Sequence, residues 1–184
     1  MLDAAARIVA ERGLEYLTLA ECGEAAGYSR GLAAHYFGSR NALIIAIATH
    51  IVASYTRHPK GGSGGQRGIE GFLRAMAFYI DSGRNHPVQL RAFIAVIGSG
   101  MTHPTIRTAI AELNRKTIES IARGIRQCMK LGEIRADVDP IAQATLVAAS
   151  LRGVMTQWLV DPERVDLDAI KAELLTSLRR NLSA

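Results

Sequence analysis

Apolar residues recur every three or four positions along most of the 184-residue chain, which is the spacing of helices with one buried side. Valine, isoleucine and threonine are present, but they do not alternate with polar residues as they would in half-buried strands. The pattern therefore predicts an all-α protein. Beyond the first 57 residues, helices are expected at about 68–82, 87–98, 104–131, 140–160 and 167–182.

Caps and breaks divide residues 1–57 into four predicted helices. Thr18 and Glu21 form a capping box, in which the hydroxyl and the carboxylate each bond an exposed amide at the start of a helix. Gly27 stops this second helix after about two turns. The remaining boundaries are Gly13 after the first helix, Ser29 before the third, Gly38 after Phe37, and Ser39 before a fourth helix that runs to about Arg57.

Composition limits the class of protein. The chain is 48% apolar and 21% charged, which suits a packed core in one or two domains and argues against disorder. Its longest apolar stretch, residues 42–53, is shorter than the roughly 20 residues of a membrane span, and the MLD start has no signal-peptide pattern. Cys22 and Cys128 stand alone in the sequence, so a reducing cytoplasm is expected, and neither a metal nor another cofactor is predicted. The run HPKGGSGG at 58–65 predicts a flexible connector, for which both a natural loop and an engineered insertion are open.

The second and third helices, joined by a glycine-containing turn, predict a helix-turn-helix, in which the later helix enters the major groove of DNA. Gly23 is small where the two helices would cross, and Gly27 permits the turn. A plain helical bundle is the alternative on this pattern alone. The residues expected to fill the seam between the helices are Cys22, Ala26, Tyr28, Ala33 and Tyr36. Those expected to face outward are Ser29, Arg30, Gly31, Ala34 and His35.

A series of short motifs runs through the first 43 residues: Ala4-Ala5, Gly13, Thr18, Ala26-Gly27, Ser29-Arg30-Gly31, His35-Tyr36-Phe37, Gly38-Ser39-Arg40 and Ala42-Leu43. In combination they resemble the N-terminal domain of the TetR/AcrR family of bacterial transcriptional regulators. The segment GEIRAD at 132–137, and Gly153 with Trp158-Leu159, resemble the family's common C-terminal pattern. The resemblance implies a helix-turn-helix DNA-binding domain at 1–40 and a helical effector-binding and dimerisation domain at 41–184. It also implies a homodimer that binds double-stranded operator DNA and is released by a small molecule of unknown identity.

The expected DNA contacts lie at helix starts and along the third helix. Thr18 and Ser39 open helices whose exposed amides suit phosphate oxygens, and Arg40 is either a further phosphate contact or a solvated cation. Arg30 is expected to bind a guanine edge through O6 and N7, or a phosphate. Tyr36 is expected to lie half in the core and to donate to a phosphate. The complete set is Thr18, Ser29, Arg30, Gly31, Ala34, His35, Tyr36, Ser39 and Arg40.

Two positions depart from the family pattern. Members commonly carry an aromatic residue where this chain has Ala34, and a larger apolar residue where it has Ala33. The contact expected for Ala34 is instead with a thymine methyl group. A dimeric helical small-molecule-binding protein with a weakened DNA-reading head is therefore the alternative to a ligand-released repressor.

The C-terminal part predicts a pocket and a dimer seam. The pocket candidates are the large apolar side chains Phe72, Met76, Tyr79, Phe93, Met101 and Trp158, with His86, Gln89, His103, Asn114 and Gln157 as polar anchors. Plain core or surface is the alternative for each of these residues. The last two helices predict a four-helix seam with a second copy, and ordinary intrachain packing is the alternative. The seam candidates are Leu146, Ala149, Gly153, Leu167, Ile170, Leu174 and Leu178.

Catalytic motifs and net charge contribute little to the prediction of function. The sequence contains no phosphate-loop, zinc-protease or serine-hydrolase motif, so no enzyme is predicted. A formal charge of +5 permits a nucleic-acid partner, but residues 1–57 hold as many acidic as basic side chains. The local pattern of caps, turn and arginines therefore carries the DNA-binding prediction.

Overall fold

The computed structural model describes residues 1–56 and 68–184, so the predicted connector at 58–65 and the predicted helix end at Arg57 lie outside the described residues. In chain order the helices are α1 (Leu2–Arg12), α2 (Leu19–Ala25), α3 (Arg30–Phe37), α4 (Arg40–Thr56), α5 (Gly68–Asn85), α6 (Pro87–Ser99), α7 (Pro104–Lys130), α8 (Pro140–Val160) and α9 (Leu167–Leu182). The all-α prediction is confirmed, and the described boundaries fall within three residues of the predicted ones. A short 3-10 turn at Leu14–Tyr16 was not predicted.

The described chain divides into two compact units, residues 1–56 with 86–113 and residues 68–85 with 114–184. In the first unit, α1 contacts α2, α4 and α6. Leu43, Ile44 and Ile47 of α4 are fully buried there, together with Val96 of α6. The first unit therefore extends past the predicted domain boundary at residue 40, because α4 and α6 complete the core on which the three short helices rest.

Among the described residues, no single helix is both long and apolar enough to cross a membrane. α3 and α4 reach the required length and composition only if they are counted together, across a bend of 78°.

The second unit is built from α5, the rest of α7, α8 and α9. Its buried side chains include Met76, Ile125 and Met155. Leu167 and Leu178 are also buried within the chain itself, at 5% and 7% exposure. Their burial favours the intrachain alternative for these two positions, because side chains already covered by their own unit have little surface left to offer a partner.

Candidate nucleic-acid interface

The crossing of α2 and α3 depends on a glycine. A Cβ atom at Gly23 would lie 2.7 Å from the backbone carbonyl oxygen of Ser29, a distance that real Cβ atoms essentially never show. In the turn between the helices, Gly27 has a φ of 77°, in the left-handed region that favours glycine. The structure confirms the predicted roles of Gly23 and Gly27 in a helix-turn-helix.

The start of α2 shows half of the predicted capping box. The backbone N–H of Glu21 donates to the Thr18 hydroxyl oxygen at 3.0 Å, as expected. The Glu21 carboxylate accepts from Nη1 of Arg12 at 2.9 Å and from the Thr18 hydroxyl at 3.4 Å. Arg12 thus draws the carboxylate into an ion pair that links the end of α1 to α2.

The outer side of α3 carries the predicted reading residues. The five positions expected to face outward are all exposed: Ser29, Arg30, Gly31, Ala34 and His35. Tyr36, which was expected in the seam, is exposed as well. A Cβ at Gly31 would meet nothing within 4 Å, so the surface over the first turn of α3 is open. The predicted outward face is confirmed.

The seam between α2 and α3 is filled differently from the prediction. Cys22 and Ala33 are fully buried, as expected, but Tyr28 and Tyr36 are 52% and 72% exposed. Small side chains suffice where the helices approach as closely as Gly23 requires, and both rings lie outside. Tyr36 instead meets Phe37 edge to face, with 4.9 Å between ring centroids.

Arg30 is paired with Glu24 of α2. Nε and Nη2 of Arg30 donate to the two carboxylate oxygens, with 3.4 Å between Nη2 and Oε2. The hydrogen bond from Arg30 lowers the pKa of the Glu24 carboxyl, and the positive charge acts in the same direction. No sequence pattern predicts this pair, because only the turn brings positions six residues apart together.

Ser39 and Arg40 lie where α4 begins. The hydroxyl of Ser39 accepts from the backbone N–H of Ala42 at 3.1 Å, which confirms the predicted cap. Arg40 donates from Nε to the carbonyl of Leu17 at 2.7 Å, and from Nη2 to the carbonyl of Leu14. Its guanidinium therefore holds the 3-10 turn. The sequence predicted a phosphate contact or a solvated cation for Arg40, and this structural role was not among those predictions.

The predicted pocket residues are divided between the units. Phe72, Met76, Tyr79 and Trp158 belong to the second unit, and Phe93 and Met101 to the first. Phe72, Met76 and Phe93 are buried, Tyr79 and Trp158 are half-buried, and Met101 is 74% exposed. The exposure of Met101 makes it the weakest member of the set.

A polar cluster lies inside the second unit. Nη1 of Arg152 in α8 donates to Oδ1 of Asn114 in α7 at 2.5 Å. Burial lowers the pKa of Arg152, and the Tyr79 hydroxyl opposes that shift. Burial raises the pKa of Tyr79 in turn, and the charge of Arg152 lowers it. Asn114 and Tyr79 were predicted as pocket residues, but Arg152 was missed, because an arginine within a helix pattern usually marks a solvated face.

One side of α8 is exposed along its length. Leu146 and Val160 are 61% and 79% exposed. The positions between and beside them at helical spacing are also exposed: Ala142, Ala149, Gly153 and Gln157. Three predicted seam residues, Leu146, Ala149 and Gly153, therefore share one apolar face of small and large side chains.

Two family models match the chain. The model described as "Bacterial regulatory proteins, tetR family" matches residues 1–47, and the one described as "BetI-type transcriptional repressor, C-terminal" matches residues 69–183. The HTH-type transcriptional regulator BetI of Burkholderia thailandensis is 32% identical over 113 residues, which cover 58% of this chain and 56% of that protein. The chain thus spans little more than half the length of this relative.

Solved structures share the fold. A Rhodococcus crystal structure described as a TetR-family transcriptional regulator has a TM-score of 0.89 at 24% identity, covering 99% of this chain and 96% of that one. A transcriptional regulator from Saccharomonospora viridis in complex with choline has a TM-score of 0.82 at 19% identity, covering 100% and 95%. At these identities the likeness establishes the architecture.

Proposed function

The chain belongs to the tetR family of bacterial regulatory proteins, which are DNA-binding transcriptional regulators and not enzymes, and we propose that it is a homodimeric repressor released from operator DNA by a small molecule. The observation that carries the proposal is the exposed outer side of α3 on a helix-turn-helix whose crossing is held by Gly23. A cytoplasmic location is part of the proposal.

In the proposed complex, α3 enters the major groove and its first residues meet base edges. The helix starts at Thr18 and Ser39 flank α3 and offer backbone amides to phosphates. Arg12 and Arg30 are both paired with glutamates in the free protein. The charge of the helix-turn-helix therefore attracts the phosphate backbone only weakly. Binding then depends on base contacts, which favours sequence-specific recognition over general affinity for DNA.

The proposed dimer seam is the exposed face of α8, against the same face of a second copy. Ala149 and Gly153 permit close approach of two helices, and Leu146 supplies apolar area beside them. Ile170 and Leu174 of α9 are half-buried and extend the seam. In a symmetric four-helix arrangement of α8 and α9, these side chains are buried in both protomers.

The proposed effector is an anion that binds inside the second unit. Arg152 supplies a partly buried guanidinium, with Tyr79 and Asn114 beside it. A carboxylate accepts charge-assisted hydrogen bonds from such a group. A quaternary ammonium, such as the choline in the Saccharomonospora structure, is repelled by a cation in a medium of low dielectric constant.

Fluorescence anisotropy at physiological salt tests both parts of the proposal. The DNA upstream of the chain's own coding region is compared with a scrambled duplex of equal composition, and bound complexes are then titrated with choline and with short- and medium-chain carboxylates. We expect tight binding to the upstream DNA alone, and release by carboxylates but not by choline. Equal affinity for both duplexes contradicts the repressor and favours the alternative with a weakened reading head. Release by choline but not by carboxylates contradicts the anionic effector and leaves the DNA-binding proposal standing.

A further inference from the structure

Base recognition at the first turn of α3 rests on Arg30. Its side chain is 75% exposed, and the next outward positions are Gly31 and Ala34. Neither of these carries a side-chain hydrogen-bonding group, so Arg30 is the side chain of this turn that can donate two hydrogen bonds to a base.

Glu24 binds one edge of the Arg30 guanidinium and does not bind the other edge. Its carboxylate faces the edge formed by Nε and Nη2. The edge formed by Nη1 and Nη2 keeps N–H groups directed away from Glu24, because the guanidinium is a planar fork with five donors. That terminal edge matches O6 and N7 of guanine.

The backbone holds the two partners in place. Glu24 belongs to α2 and Arg30 is the first residue of α3. The close approach of Gly23 to the carbonyl of Ser29 fixes these helices against each other at the neighbouring positions. The direction of the guanidinium therefore follows from the helix-turn-helix geometry and the carboxylate together.

We propose that Glu24 is a specificity-determining positioning residue, which orients Arg30 so that its terminal edge binds one guanine in each half-site. The inference rests on the proposed DNA-binding function. It chooses between the two roles that the sequence left open for Arg30, a guanine contact and a phosphate contact.

Glu24 could act only as a surface charge or could also orient Arg30, and the two roles predict different effects of its removal. A carboxylate beside the groove repels phosphates, so its removal raises affinity for every duplex through charge alone. If it also orients Arg30, its removal in addition lowers discrimination for guanine, because the free guanidinium samples other directions. Base preference therefore separates positioning from a simple surface ion pair, which is worth little by itself.

The experiment begins with selection of bound duplexes from a randomised pool by the full-length chain. Dissociation constants are then measured for the selected site and for duplexes in which its guanine is replaced, using wild type, Glu24→Gln and Glu11→Gln. Glu11 is an exposed glutamate on α1, so its substitution makes the same change in charge away from Arg30. Circular dichroism confirms that each variant is folded.

We expect the guanine replacement to cost wild type and Glu11→Gln about tenfold in affinity, within the range for one bidentate contact. In Glu24→Gln the cost should fall to about two- to threefold. In an Arg30→Ala background, Glu24→Gln should leave base preference unchanged.

Two results overturn the inference alone: a full guanine preference in Glu24→Gln, and a loss of preference caused by Glu24→Gln even without Arg30. Failure of the wild-type chain to select any sequence overturns the proposed function itself, and the inference with it.

Discussion

Gly23 and Gly31 both lie in helices of the reading head, but an added methyl group meets different surroundings at the two positions. At Gly23 it would lie 2.7 Å from a backbone oxygen, and at Gly31 it would meet nothing within 4 Å. Because backbone cannot swing away as a flexible side chain can, Gly23→Ala should lower the free energy of unfolding by about 1–3 kcal/mol. Gly31→Ala should leave it unchanged or raise it by up to about 1 kcal/mol through helix propensity. Urea unfolding followed by circular dichroism measures both, and equal effects contradict the close crossing.

Single residues differ in whether their environment follows from the local sequence pattern. The exposure of Arg30 and the burial of Ala33 follow from helical periodicity, which assigns each position to a side. The bonds from Arg40 to the carbonyls of Leu14 and Leu17 do not, because they join positions 23 and 26 residues apart. These bonds use part of the five-donor fork of Arg40, so its phosphate contact stays a prediction.

At the scale of elements, the carboxylate of Glu133 caps a helix far from it in sequence. Its Oε2 accepts from the backbone N–H of Ile69, at the start of α5, at 2.6 Å. Glu133→Ala should lower the free energy of unfolding by about 1–2 kcal/mol, as expected for loss of a helix cap. Glu133→Gln, which keeps an acceptor but loses the charge at the positive end of α5, should cost less than about 1 kcal/mol.

Glu163 provides the matched control, since it is an exposed glutamate between α8 and α9. Glu163→Ala should leave unfolding in urea within about 0.5 kcal/mol of wild type, as most surface substitutions do. If Glu133→Ala is no more destabilising than Glu163→Ala, the cap contributes nothing measurable.

Helix boundaries were predictable where local chemistry sets them. Thr18, Gly38 and Pro104 each cap, stop or start a helix through their own backbone or side chain, and the predicted boundaries there agree with the structure. Contacts such as that between Glu133 and Ile69 join residues 64 positions apart. They depend on how the helices pack, which no local pattern encodes, and the short 3-10 turn at Leu14–Tyr16 was missed because nothing in its sequence distinguishes it from a loop.

At the scale of the whole molecule, the family match and the packing divide the chain at different places. The BetI-type match begins at residue 69 and includes α6. In the structure, α6 packs on α1 and α4, and α1 contacts α2. A helix of the C-terminal family segment thus forms part of the core that supports the reading head, so changes in α6 act on the head through direct packing.

The proposed homodimer depends on the exposed face of α8. Leu146→Glu places a charge on that face and should convert the dimer to a folded monomer, measured by light scattering during size-exclusion chromatography, because burying an unpaired carboxylate in an apolar seam is costly. Met101→Glu is the control, since Met101 is similarly exposed but belongs to the first unit, and it should remain dimeric.

Leu178→Glu should instead unfold the chain, because Leu178 is buried within its own unit. Its loss of helical signal in circular dichroism would distinguish an intrachain core from a seam. A dimer that persists in Leu146→Glu, or a folded monomer produced by Leu178→Glu, would move the interface from the outer face of α8 to the side of α9 that the structure buries.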